Sequence, residues 1–324
     1  MELNGRIILR ELPDKGEVRI DTLAEVLGFD RKSVLESCMA LSKDGYVEVR
    51  KPLFRKYRIS RTEKRMGRPG KCRVISVSNH KGGVGKTTTA INVSASLAEL
   101  GKKVLLVDLD PQANATTTIG RGKNIRYNIY DVLSLTVPAA EGVVETDYGF
   151  SLLPSEVGLV GLEVELSGIR NREHRLDDVI TDLRSAYDYI IIDCPPSLSI
   201  LAVNALTASD SVLIPVQSDQ YAIESISTLT RIIELVKDRL NESLEIEGAL
   251  ITMHEPESEF SRRIAEEVRR RMKETVLDVV IERDPKVSEA AGSNMPLIKY
   301  DQESKAAKAY MELSRKLISD EREG

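Results

Sequence analysis

Residues 81–88, KGGVGKTT, have the composition of a phosphate cradle. Gly82, Gly83 and Gly85 carry no Cβ, so backbone N–H groups can converge on phosphate oxygens. The segment that follows, TAINVSASLAELG, has the pattern of a helix, whose N-terminus adds a partial positive charge. Lys86 supplies a point charge to β and γ phosphates, and the Thr87 hydroxyl can ligate Mg²⁺. Val84 and Thr88 complete the binding stretch. The common loop is G-x-x-x-x-G-K-[ST]. Here His80 stands where its first glycine belongs, and an extra lysine, Lys81, opens the loop. A chance glycine turn is the competing reading. It would need neither the β-branched run VISVSN at 74–79 before the loop nor a helix after it, and that strand–loop–helix order is what phosphate binding requires.

Two acidic strand tips could serve the same ligand. KVLLVDLD at 103–110 and YIIID at 189–193 are continuous apolar runs, as expected of strands buried on both faces of a parallel sheet. Ligands of such sheets sit at the carboxyl ends of the strands, where Asp108, Asp110 and Asp193 fall. An acid there can hold Mg²⁺ through water, because Mg²⁺ gives up its waters reluctantly. A lone strand-end Asp is more simply a helix cap. Two such strands beside a phosphate loop favour the metal.

These residues need a scaffold. At 324 residues, 41% hydrophobic and 30% charged, the chain has material for two globular domains or one large one with an appendage. Aromatics make up only 4% and Trp is absent, which disfavours a stacking surface for single-stranded nucleic acid. No apolar run reaches the roughly 20 residues of a membrane span, so no membrane partner is expected. The N-terminus lacks a signal-peptide core. Cys38, Cys72 and Cys194 are too scattered for a disulfide framework or a metal pair. A cytoplasmic location follows as the expectation.

The net charge of −5 hides an asymmetry, because residues 1–72 carry 17 Lys/Arg against 11 Asp/Glu. Eleven basic residues fall within 50–73 against a single acid, Glu63. That density is the footprint of a polyanion-binding surface, with a solvated linker as the plainer reading. Apolar spacing predicts helices over 3–12, 21–27 and 31–43, the last capped by Asp30. Strands over 46–49 and 57–60 would flank the basic hairpin RKPLFRK. This order resembles a winged helix-turn-helix domain over residues 1–60. The resemblance implies that Arg31, Lys32 and Ser33 on the third helix, with Arg55 and Lys56 on the wing, contact double-stranded DNA. Such domains also serve as protein–protein modules. Residues 61–72, polar with two glycines and a proline, read as a basic linker.

KGGVGKTT, VLLVDLDPQANAT and IIIDCPPSLSILAVNALTASDSVLIPVQ together resemble the ParA/Soj branch of the deviant-Walker ATPases, a SIMIBI-class P-loop group. MinD and the nitrogenase iron protein are other members. The resemblance covers residues 73–315 and places the ATPase domain at 73–324. It implies a doubly wound, mainly parallel α/β fold behind the small winged helix. It also implies ATP and Mg²⁺ as cofactors, an ATP-dependent homodimer, and slow hydrolysis to ADP and phosphate. By motif matching, Lys81 is the signature lysine that reaches the partner's nucleotide, and Asp110 orients the attacking water. Lys86 and Thr87 hold phosphate and Mg²⁺, with Asp193 acting on the metal through water. Loops 110–118 and 194–209 would be the switches that sense the γ-phosphate. The implied work is chromosome or plasmid segregation on the nucleoid, with a ParB-like partner and repression of its own operon.

The C-terminal third departs from that pattern. A basic helix over 260–273 carries Arg262, Arg263, Arg269, Arg270 and Arg271. The family places DNA-contacting arginines here, but Glu257 falls where one is expected, and the usual IPRN segment reads IERD at 281–284. Either Arg262, Arg263 and the 269–271 cluster compensate, with Lys286 standing in for a second basic contact, or the winged domain carries the DNA. A solvated face paired with Glu266 and Glu267 is the alternative. The terminal helix over 304–318 lacks the basic face and large apolar anchors of a membrane-targeting helix. Two other functions stay open: a nucleotide-controlled transcription regulator without a segregation role, and a non-DNA cargo-positioning ATPase.

Overall fold

The computed structural model describes residues 5–13, 17–50, 58–61 and 72–319. Its first unit is built from α1 (Gly5–Glu11), β1 (Val18–Arg19), α2 (Ile20–Leu27), α3 (Arg31–Lys43), β2 (Val47–Arg50) and β3 (Arg58–Arg61). Their apolar faces close one small core around Ile8, Leu23, Val34, Cys38 and Ile59. Local chemistry sets the corners. Gly28 ends α2 at φ 70°, a left-handed conformation that glycine adopts without strain. Asp30 then caps α3 by accepting from the N–H groups of Lys32 and Ser33. The strands form an antiparallel sheet in the order β1-β3-β2. Sequence reasoning misses β1, because two residues are too few to show an alternation.

The second unit is an eight-stranded sheet in the order β11-β10-β9-β4-β8-β5-β7-β6. The strands are β4 (Arg73–Val77), β5 (Val104–Asp108), β6 (Val144–Glu145), β7 (Ser151–Leu153), β8 (Tyr189–Asp193), β9 (Ser211–Gln217), β10 (Glu245–His254) and β11 (Val276–Glu282). All pairs run parallel except the edge pair β6–β7. Ile75, Leu106 and Ile191 point to one apolar layer, and Val74, Leu105 and Ile190 to the other. Both faces are therefore dry, which is why these strands read as unbroken apolar runs.

The first layer is covered by α4 (Lys86–Glu99) and the last helix, α15 (Lys305–Ser319). Between them in the chain lie α5 (Asn114–Ile119), α6 (Ile129–Leu133), α7 (Ala139–Gly142), α8 (Leu159–Leu166), α9 (Arg175–Ile180), α10 (Ile200–Ala208), α11 (Ala222–Arg239), α12 (Glu259–Met272), α13 (Pro285–Gly292) and α14 (Leu297–Tyr300). Residues of α6, α8, α9 and α10 fill the second layer, and those of α11 and α12 continue it beside β9 and β10. The result is the doubly wound, mainly parallel arrangement expected from the sequence. No described helix is long and apolar enough to cross a membrane.

Register places the chemistry. Val77 pairs with Asp193, and Asp193 pairs with Asp108. Three neighbouring strands thus end level, with the glycine loop leaving β4 and β8 lying between β4 and β5.

Candidate functional site

The loop between β4 and α4 owes its shape to glycine at two points. Gly83 and Gly85 stand at φ 76° and 90°, where other L-residues are strained. Gly82 and Gly83 face open space. Gly85 precedes α4 without a side-chain cap, so the first N–H groups of that helix are left for a ligand. The loop is pinned from outside. The Thr252 hydroxyl donates to the Val84 carbonyl at 2.9 Å. Asn79 donates to the Pro215 carbonyl at 2.8 Å and accepts from the Lys81 N–H at 3.1 Å.

Lys86 is buried, and its ammonium donates to the Lys81 carbonyl at 3.0 Å. Burial pulls its pKa down, while Asp193, Cys194 and Asp110 oppose the fall. Lys81 is directed elsewhere. Its ammonium forms an ion pair with Asp219 and lies 5.5 Å from the centre of the Tyr221 ring.

The three acids differ in their surroundings. Asp108 is fully buried, accepting from the Thr116 N–H at 2.8 Å and hydroxyl at 2.7 Å, and burial pushes it up to about 6. It organises the loop after β5. Asp110 accepts from the Gln112 N–H at 2.9 Å, and its carbonyl accepts from the Ser155 hydroxyl at 2.8 Å. Asp193 is fully buried, and neither carboxylate oxygen has a hydrogen-bond partner among the described residues. Burial and the charges of Asp108 and Asp110 raise its pKa, against the pull of Lys86. The Thr87 hydroxyl leans towards it and offsets part of the rise without closing a hydrogen bond.

Asp193 and Asp110 therefore crowd one buried ammonium, and Asp108 stands beside Asp193. A buried carboxylate without a donor is costly to ionise, and a divalent cation beside Asp193 and Thr87 corrects both the charge surplus and the missing contacts. A cleft of about 160 Å³ opens off the loop at Gly85 and Thr88, lined further by Met253, Arg283, Asp284 and Tyr310. It has room for a group attached to the phosphates.

The residues suggested for nucleic acid are spread out. Arg262 and Arg263 are exposed on α12, with Arg263 over the Phe260 ring, and Arg270 pairs with Glu267. Lys286 is held by Glu289 at 2.8 Å. On α3, Arg31 pairs with Asp21 at 3.5 Å and Lys32 with Glu36 at 3.9 Å, while the Ser33 hydroxyl donates to Asp30. Arg55, Lys56 and most of the basic linker lie outside the described residues. Sequence reasoning missed Asn79, Thr116, Ser155, Asp219 and Tyr221 at the loop. Ser155 and Asp219 reach it from far along the chain, and no local spacing announces them.

A family model described as an AAA domain matches residues 72–246. The chain is 42% identical over 255 residues to the chromosome partitioning protein ParA of Caulobacter vibrioides, covering 78% of this chain and 96% of that one. It is 42% identical over 250 residues to the sporulation initiation inhibitor protein Soj of Bacillus subtilis, covering 76% and 99%. Among solved structures, cobyrinic acid a,c-diamide synthase from Mycobacterium smegmatis, with bound ADP and magnesium, superposes with a TM-score of 0.68 at 35% identity, over 76% of this chain and 94% of that one. Residues 1–71 precede the region that the family model matches.

Proposed function

This chain belongs to the ParA/Soj family of SIMIBI-class P-loop ATPases, and on that premise we propose that it is a partition ATPase, an ATP-bound homodimer that works on double-stranded DNA to position a chromosome, plasmid or other cargo. Like its family it cleaves ATP to ADP and phosphate, with Mg²⁺ as cofactor. The observation that carries the reading is Asp193, a sealed carboxylate beside Lys86 and Thr87 whose two oxygens have no hydrogen-bond partner among the described residues.

Each residue then has one task. The N–H groups of 82–88 and the Lys86 ammonium bind the phosphates. Thr87 and Asp193 would hold Mg²⁺, which would neutralise charge on the phosphates. Asp110 orients the attacking water. Lys86 and the loop grip substrate and transition state alike, so they contribute affinity rather than rate. The charge that develops on cleavage is met by the partner copy's signature lysine, so hydrolysis waits for two subunits to face each other. The in-chain pair with Asp219 supports this order of events, because Lys81 must exchange that partner before it can serve another subunit.

We assign residues 1–60 to a winged-helix DNA-binding module, 61–72 to a basic linker and 73–324 to the ATPase. Arg31, Lys32, Ser33, Arg55 and Lys56 in the first part, with Arg262, Arg263 and Lys286 in the second, are the DNA contacts. A ParB-like protein is the partner that stimulates hydrolysis, the N-terminal module represses the chain's own operon, and the setting is the nucleoid in the cytoplasm. A cargo-positioning ATPase that never touches DNA is the second reading. It is favoured by Glu257 and by the engagement of Lys286 with Glu289. Titration of random-sequence duplex with ATP, ADP or no nucleotide separates the two. The first expects retention that needs ATP and weakens steeply with salt. Absence of retention in every state, at low salt, selects the second.

A further inference from the structure

The N-terminal unit is fastened to the ATPase unit at one defined place. Arg10, at the end of α1, spreads its guanidinium over residues 174–178. Nη1 donates to the His174 carbonyl at 2.8 Å and to Asp178 at 2.5 Å, and Nη2 donates to Asp177 at 2.7 Å. Asn171 reaches back and donates to the Arg10 carbonyl at 2.9 Å. Burial pushes the Glu11 carboxyl up, and the charges of Arg170 and Arg175, with a hydrogen bond from Asn171, offset part of that rise. Leu135 adds an apolar contact by packing against both cores. Asp177 and Asp178 are almost wholly buried, at 3% and 6% side-chain exposure, while Arg10 keeps 21%. Two adjacent sealed carboxylates on α9 are therefore bonded by a cation from another unit, and Arg175 of their own helix also faces Asp178. Removing one partner of such a buried pair is far more disruptive than the pair's net contribution suggests.

The same α9 segment is tied to the nucleotide site. Asn204, buried in the middle of α10, accepts from the Leu176 N–H at 2.9 Å and donates to the Arg172 carbonyl at 2.9 Å. Ser199 caps α10, accepting from the Leu201 N–H at 3.2 Å. Only residues 194–198 separate that cap from Asp193. A route thus leads from Asp193 along the chain through 194–198 to α10, and from there by contacts through Asn204 and α9 to Arg10.

We propose that Arg10 is a latch that couples the N-terminal unit to the nucleotide site with positive sign: engaging either one favours the other. The sign follows from preorganisation. With the latch closed, α9 and Asn204 hold α10, so the loop 194–198 at its start has less freedom to lose when nucleotide binds. Reciprocity then requires nucleotide to tighten the latch by the same factor. The inference deepens the ATPase reading and rests on it.

The test uses the full chain, Mg²⁺ and a non-hydrolysable ATP analogue. Arg10→Ala is expected to weaken analogue binding by about five-fold or more, the lower end of ordinary coupling between sites. In the wild type, the analogue is expected to slow amide exchange in α1 and in 172–178 by a similar factor. Asp177→Asn/Asp178→Asn opens the latch from the other side, with Arg175 still facing Glu11, and it gives the same reading should Arg10→Ala not fold. Unchanged affinity in the latch variant, together with unchanged exchange in α1, overturns the proposal while leaving the ATPase reading intact. A wild-type chain that does not bind the analogue overturns both.

Discussion

Ionising a carboxylate that has been sealed from water without a donor is unfavourable, and Asp193 is held in that condition at the tip of β8. Its placement weakens the fold and prepares the site. Asp193→Asn is therefore expected to raise the melting temperature without nucleotide by a few degrees, on the order of 1–2 kcal/mol. It is also expected to abolish the effect of Mg²⁺ on nucleotide affinity. Thermal melts and nucleotide titrations with Mg²⁺ or EDTA check both parts, and a variant that melts earlier contradicts the assignment. At this scale much of the site was legible in the sequence. Glycine, lysine and threonine spacing announces the cradle, because those residues act through short-range backbone geometry. Asp219, which holds Lys81, and Ser155, which fastens the Asp110 carbonyl, were not legible. Each meets its partner across the fold, and one chain alone gives no sign of such meetings.

Among the elements, α9 is the most revealing, because it carries acids on a buried face. Burial pushes Asp178 up to about 6, and Arg10 with Arg175 restrains the rise. A carboxyl whose pKa is higher in the folded chain contributes most below its unfolded value, and that contribution is lost as pH rises through about 6. Without Arg10 the pKa climbs further and the loss extends to higher pH. The gap in melting temperature between wild type and Arg10→Ala is thus expected to be smallest near about pH 4–5 and to widen towards pH 8. A gap that is constant or that narrows removes Arg10 as the counter-charge. The sequence signalled the long, doubly buried strands well, since both faces demand apolar residues. It did not signal β1, β6 or β7, which are two or three residues long. It also left out β11, whose partly buried positions interrupt the apolar run with Asp278.

For the whole molecule, charge and geometry set opposing demands. Residues 73–324 carry a net −11, so two ATPase units repel each other as they approach, whereas residues 1–72 carry +6 and are drawn to a polyanion. A nucleotide shared between facing subunits, with a lysine lent across, would overcome the first and time the second. Small-angle scattering on Asp110→Ala with saturating Mg²⁺ and ATP tests this claim most directly. The variant keeps the phosphate and metal ligands while losing the residue that orients water. The account predicts a stable particle of twice the chain mass that reverts to single chains when ATP is replaced by ADP. A particle of one chain mass at saturating ATP contradicts it.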